Sequence, residues 1–124
     1  MWEKLEEKFV KINNGSNRLR TIIANKNSSK TPLVMLHGMG SGIGLWALNL
    51  ETISGSHPVY AFDILGFGRS SRPKFSHDPL VAEAEFVEAI EDWRKEVGLD
   101  KFVLFGHSFG GYLASSYAMR HPDR

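Results

Sequence analysis

The chain has 124 residues, room for one domain at most, and its 42% hydrophobic and 23% charged content is ordinary for a globular protein. With 15 basic and 14 acidic side chains its net charge is +1, which gives no general reason to expect nucleic acid or a strongly anionic partner. The lack of cysteine excludes disulfides and thiolate metal sites, and no apolar run reaches the ~18 residues of a membrane span. The start, through Lys11, lacks the apolar stretch of a secretory signal, so an intracellular, cytoplasmic location is expected. Glu7 to Ile12 and Arg18 to Ala24 read as two strands around the turn signal Asn13-Asn14-Gly15. Leu33 to Leu36 is a short apolar run, expected as a strand buried on both faces. Leu45 to Ile53 reads as a short helix, Val59 to Phe62 as another buried strand, and Asp63 to Ser76 as a loop rich in Gly, Ser and Pro. Asp78 caps the next helix with Pro79 at its first position, and Gly98 ends it after Val97. Its Phe86, Ile90, Trp93 and Val97 form one apolar stripe. Phe102 to Phe105 is expected as a third buried strand, and a last helix runs from Phe109 to Arg120, stopped by His121-Pro122. Buried strands alternating with helices imply a mostly parallel sheet in an α/β fold, with the leading hairpin as an antiparallel edge.

Gly106-His107-Ser108-Phe109-Gly110 has the form G-x-S-x-G. The pentapeptide is common by chance, but here it follows an apolar strand and opens a helix, the setting in which it holds a serine hydroxyl exposed on a sharp turn. Small residues are needed on either side because strand and helix backbones pass close there. Ser108 is therefore the candidate nucleophile, and the amide of Phe109 at the helix start is a candidate oxyanion donor. His37-Gly38-Met39-Gly40, after the first apolar strand, supplies a second donor in the amide of Met39. His37 is expected to brace that loop by hydrogen bonding, and His107, just before the serine, to project elsewhere.

Two other features compete for attention. Gly42-Ile43-Gly44-Leu45-Trp46-Ala47 fits G-x-G-x-x-[GA], with Asp63 about 20 residues on, as in a dinucleotide site. It starts too far after the Leu36 strand end for that role, so Asp63 is expected to brace a loop. Arg69, Arg72 and Lys74 form a basic cluster beside Phe67 and Phe75. A solvated loop is the default reading, and contact with a lipid phosphate or membrane surface is the alternative.

The three motifs stand in the order found in α/β-hydrolases, and the chain resembles that family from Lys8 onward. The stretches Gly44 to Asn49, Phe62 to Pro73 and Gly106 to Ala114 are similar to one subfamily, that of α/β-hydrolase domain-containing proteins four and five. The resemblance implies the first part of a single α/β-hydrolase domain, residues 1–124. Of the two members, one is a serine hydrolase of lysophospholipids and N-acyl phospholipids. The other activates a triglyceride lipase on lipid droplets, is linked to acylation of lysophosphatidic acid, and has asparagine where this chain has Ser108. On that position the resemblance implies an acyl-ester hydrolase with a lysophospholipid-like substrate. The alternatives are a lysophosphatidic acid acyltransferase, or a non-catalytic protein that docks a lipase partner or a lipid-droplet surface. No metal, organic cofactor or nucleic acid is implied.

The family's acid and base follow the serine. After Ser108 only His121 and Asp123 are candidates, and His121 lies at the far end of the helix, ~18 Å along its axis. The acyltransferase-type H-x-x-x-x-D pattern is absent. The chain as written is expected to turn over little substrate, and its Phe102 to Phe105 strand to form an apolar sheet edge.

Overall fold

The computed structural model describes residues 5–39, 41–46 and 50–124. β1 (Leu5–Ile12) and β2 (Asn17–Ala24) form the expected hairpin. Its connection takes a left-handed backbone at Asn13, Asn14 and Gly15, with φ of 52°, 56° and 87°, which asparagine and glycine tolerate better than other residues. β3 (Leu33–Leu36), β4 (Val59–Phe62) and β5 (Val103–Gly106) complete a five-stranded sheet ordered β1-β2-β4-β3-β5. β3 runs parallel to both β4 and β5, while β2 is antiparallel to β1 and β4. The mixed sheet with an antiparallel hairpin edge is the α/β architecture the sequence implies.

Between β3 and β4, Ile43–Trp46 forms a 3-10 turn and Leu50–Ser54 a short helix, α1. The expected helix from Leu45 to Ile53 is thus divided, and its residues 47–49 lie outside the described residues. α2 (Pro79–Val97) begins and ends as its sequence demands. The Asp78 carboxylate accepts the Leu80 amide at 2.9 Å, and Gly98 closes the helix at φ 80° by donating to the Arg94 and Lys95 carbonyls. α3 (Phe109–Arg120) follows β5 directly.

Side chains alternate across the strands, so each sheet face has its own core. On one face Val34, Leu36, Tyr60 and Phe62 meet Val87, Ile90 and Trp93 of α2 and Leu113 and Tyr117 of α3. On the other, Ala24, Met35, Val59 and Ala61 pack against Ile43, Trp46 and Leu50. Trp93 anchors α2 twice. Its ring lies 4.5 Å from that of Phe62, and its indole N–H donates to the buried Thr21 hydroxyl at 3.0 Å.

β5 departs from expectation in two ways. It starts at Val103, with Phe102 buried just before it. It is also not buried on both faces, because α3 covers the side of Leu104 while Val103 and Phe105 are about half exposed on the other. The apolar run is instead an edge strand, the outcome anticipated for this chain as written.

Candidate functional site

The parallel strands deliver three loops to one edge of the sheet. β3 opens into His37-Gly38-Met39, β4 into Asp63, and β5 into His107-Ser108. At the third of these, strand and helix meet with almost no connecting chain. Ser108 has φ 56° and ψ −114°, outside the regions that L-residues favour. Such strain costs on the order of 1–3 kcal/mol and persists only where the surroundings fix it. Here they do. A Cβ on Gly106 would fall 2.3 Å from the Gly110 carbonyl oxygen, and one on Gly110 would fall 2.3 Å from that of Leu36. The His107 amide donates to the Leu36 carbonyl at 3.0 Å, which pins the turn to β3.

The loop after β3 lies against this turn. A Cβ built on Gly38 would be 3.4 Å from Ser108 Cβ and 3.1 Å from His107 Nδ1. Among the described residues, neither the Met39 amide, nor the Phe109 amide, nor the Ser108 hydroxyl has a hydrogen-bond partner. Gly40 of the same loop lies outside the described residues.

His37 is fully buried and both ring nitrogens are engaged. Nε2 accepts the Ile64 amide at 2.8 Å, so the proton sits on Nδ1, which donates to the Gly38 carbonyl at 2.7 Å. It ties the β3 loop to the β4 loop, the bracing role expected of it. Asp63 is likewise buried. Its Oδ1 accepts the Ile43 amide at 2.8 Å, its Oδ2 accepts the Arg69 amide at 3.0 Å, and Arg20 Nη1 stands 3.8 Å away. With its carboxylate committed to Ile43, Asp63 holds the Gly42 to Trp46 segment instead of facing a ribose. Ala47, which would end that fingerprint, lies outside the described residues.

The basic cluster is only partly free. Arg72 donates to the carbonyls of Gly66 and Gly68 at 2.6 and 2.8 Å, holding its own loop. Phe67 and Phe75 turn inward. Phe67 packs 5.8 Å from His37 and 5.9 Å from Phe109, and Phe75 stacks on Phe86 at 4.3 Å. Phe86 in turn meets Phe109 edge-on at 5.4 Å. This aromatic chain fixes the residue after Ser108 against α2. It was not foreseen, because it joins residues far apart in sequence whose only local signal is that each is a phenylalanine.

One turn into α2, Glu83 accepts the hydroxyls of Tyr112 and Ser116, one and two turns into α3, the latter at 2.8 Å. These bonds, Tyr112 first, hold its carboxyl below the usual range. His121 lies at the other end of α3, 3.8 Å from Glu91 and 3.5 Å from Glu88, and is not brought to Ser108. Among the described residues no group of three or more His, Cys, Asp and Glu is placed to hold a metal ion.

Comparison with known proteins sets these features in a family. Residues 31–124 match the α/β-hydrolase fold model, and the chain belongs to that family. It is 57% identical to 1-acylglycerol-3-phosphate O-acyltransferase ABHD5 of Mus musculus over 116 residues, covering 93% of this chain and 33% of that protein. It is 46% identical to the (lyso)-N-acylphosphatidylethanolamine lipase of Homo sapiens over 121 residues, covering 98% and 35%. Both groups are those the resemblance indicated. Identity over the span is higher to the acyltransferase-named relatives, whereas Ser108 was the residue that favoured the hydrolytic ones. The chain spans about a third of the length of these relatives. Among solved structures, a bacterial membrane phospholipase A superposes with a TM-score of 0.84 at 28% identity, over 96% of this chain and 36% of that one. The haloalkane dehalogenase DatA of Agrobacterium tumefaciens superposes at 0.81 and 22% identity, over 98% and 39%, a likeness of fold alone.

Proposed function

We propose that Ser108 is the nucleophile of an acyl-transfer site acting on lipid esters of the lysophospholipid or N-acyl phospholipid kind. The observation that carries this reading is the strained Ser108 backbone, with Gly38 of the β3 loop against it and the Met39 and Phe109 amides without a partner among the described residues. In this mechanism Ser108 Oγ attacks the ester carbonyl and its proton passes to a base. The two amides stabilise the oxyanion, and the alcohol leaves as an acyl-Ser108 ester forms. Water then releases the fatty acid. The lipid-named relatives support the substrate class.

Among the described residues no base is placed at the Ser108 hydroxyl. His37 is committed at both nitrogens, and His121 lies at the far end of α3, beside Glu88 and Glu91. Turnover by the 124 residues is therefore slow in this reading, because loss of a triad member costs several orders of magnitude while oxyanion donors retain part of the rate enhancement. A second reading is favoured by the higher identity to acyltransferase-named relatives. It shares the acyl-Ser108 ester and differs only in the acceptor, a lysophosphatidate-like hydroxyl in place of water.

A fluorophosphonate probe tests the nucleophile without needing turnover. Slow labelling of the chain that Ser108→Ala abolishes is the expected result. Equal labelling of both proteins, or of neither after prolonged exposure, would remove Ser108 from the chemistry.

A further inference from the structure

The loop that carries the Met39 amide is anchored on both sides of it. Before it, the Gly38 carbonyl accepts His37 Nδ1 at 2.7 Å and the Ser41 amide at 3.1 Å. After it, the Ile43 amide donates to Asp63 Oδ1 at 2.8 Å. The other oxygen of the same carboxylate holds the β4 loop through the Arg69 amide. Both loops close in on Asp63: a Cβ on Gly42 would fall 2.8 Å from Oδ1, and one on Gly68 would fall 2.3 Å from Cγ. Asp63 is therefore one buried carboxylate, 2% exposed, shared by two loops. A buried charge is costly unless it is paired as well as hydrogen-bonded. Among the described residues the cation within ion-pair reach is Arg20 of β2, with Nη1 3.8 Å from Oδ2. The guanidinium is itself supported. Glu7 on β1 accepts Arg20 Nε at 3.0 Å, the Arg20 carbonyl accepts the Asp63 amide at 2.9 Å, and the Arg20 amide donates to the Ser70 hydroxyl at 2.9 Å.

We propose that Arg20 is a positioning residue for the Ser108 site: its charge keeps the Asp63 carboxylate seated between the two loops and, through Ile43, keeps the Met39 amide where the oxyanion forms. Arg20 acts through Asp63 and not on the reacting atoms. Without the guanidinium, the carboxylate is left buried with two amides and no counter-charge. It then gains by turning toward water, which releases Ile43 or Arg69. The end of the loop nearer Ser108 stays tied by His37, so the donor is loosened while the loop remains in place. The Phe109 amide belongs to the start of α3 and does not depend on this clamp. The inference deepens the reading of Ser108 and Met39 as nucleophile and oxyanion donor, and rests on it.

The test is fluorophosphonate labelling of the 124-residue chain at several probe concentrations. The phosphoryl oxygen of the probe takes the oxyanion's place, so the limiting rate reads the two donors. Arg20→Met is expected to lower that rate about tenfold and to leave the half-saturating concentration unchanged, because a displaced donor costs rate more than binding. Arg20→Lys should recover most of the loss. It keeps the charge, and the long contact with Asp63 does not call for a guanidinium fork. In an Asp63→Asn background Arg20→Met should cost nothing further. Thermal melts establish that each variant is folded, and Arg20→Gln takes the place of Arg20→Met where the latter does not fold. A folded Arg20→Met labelled at the parent rate would overturn the proposal. So would an Arg20→Lys no faster than Arg20→Met, or an equal loss in the Asp63→Asn background. Amide exchange reads the clamp without the chemistry. Exchange at Ile43 is expected to be faster in Arg20→Met than in the parent or Arg20→Lys, and unchanged exchange would overturn the clamp. If Ile43 exchange follows Arg20 while the probe ignores Ser108, it is the catalytic reading that fails, and the Arg20 clamp on the loop stands.

Discussion

At the scale of single residues, the site is a place where the backbone of a non-glycine residue is held in a conformation it does not favour. Ser108 at φ 56° and ψ −114° would relax as glycine, which lacks the Cβ that makes this region costly. Ser108→Ala and Ser108→Gly both remove the hydroxyl, so their difference in stability reads the strain. Ser108→Gly is expected to be more stable than Ser108→Ala by about 1–2 kcal/mol in urea unfolding, even though glycine also loosens the unfolded chain. Equal stability would mean that the turn is not strained at this residue. The two braces beside it were legible from position alone. His37 and Asp63 each follow an apolar strand and precede a glycine-rich loop, where a buried polar side chain has backbone amides to satisfy. Which amides they meet, Ile64 for one and Ile43 and Arg69 for the other, depends on how the two loops cross, and no local pattern encodes that.

At the scale of elements, the sequence was most informative where its signals are local. Asp78, Pro79 and Gly98 bound α2 as read, and the stripe of Phe86, Ile90, Trp93 and Val97 faces the core. The polar side of the same helix was not legible. Glu91 and Arg94 look like an exposed i, i+3 pair, yet both are buried because α3 lies alongside. Glu91 accepts Arg94 Nε at 2.7 Å and the Tyr117 hydroxyl at 2.7 Å, while Arg94 Nη1 donates to the Leu99 carbonyl at 2.6 Å. The network ties α2 to α3 and to the approach to β5. Arg94 is the main reason that the Glu91 carboxyl is held at about 2 against an ordinary 4.5, burial opposing it. A depressed carboxyl stabilises the fold above its unfolded pKa, and that stability is lost as pH falls toward its folded value. The shift corresponds to something on the order of 3 kcal/mol, present above pH ~4.5 and lost between there and pH ~2. Unfolding free energies measured across that interval should fall steeply for the parent and more gently for Glu91→Gln. At neutral pH Glu91→Gln should already be less stable, since it leaves the Arg94 charge buried without its partner. Parallel acid limbs would assign the loss to other carboxylates.

At the scale of the whole molecule, the two cores follow from alternation along the strands, and the open face of β5 follows from its edge position. A run of four apolar residues looks the same whether it is covered on both sides or one, because coverage is supplied by elements elsewhere in the chain. In this chain α3 covers Leu104, and the opposite side shows Val103 and Phe105, the latter 5.6 Å from Trp46. Val-Leu-Phe-Gly has no charge and no proline, so nothing in it discourages a second extended segment from pairing along the side of the strand that has no neighbour among the described residues. Self-association through this edge is the expected consequence at high protein concentration. Val103→Lys places a charge on the open face of the edge without touching the Trp46–Phe105 contact. It should raise the concentration at which light scattering begins while leaving the melting temperature within a few degrees. A charge on the opposite edge, Phe9→Lys on β1, is the comparison, because Phe9 is also exposed but sits under Arg18, with the guanidinium 4.5 Å from its ring centre. If Phe9→Lys suppresses scattering as well as Val103→Lys does, association follows net charge and not the β5 edge. If only Val103→Lys does so, β5 is the edge through which copies of this chain meet.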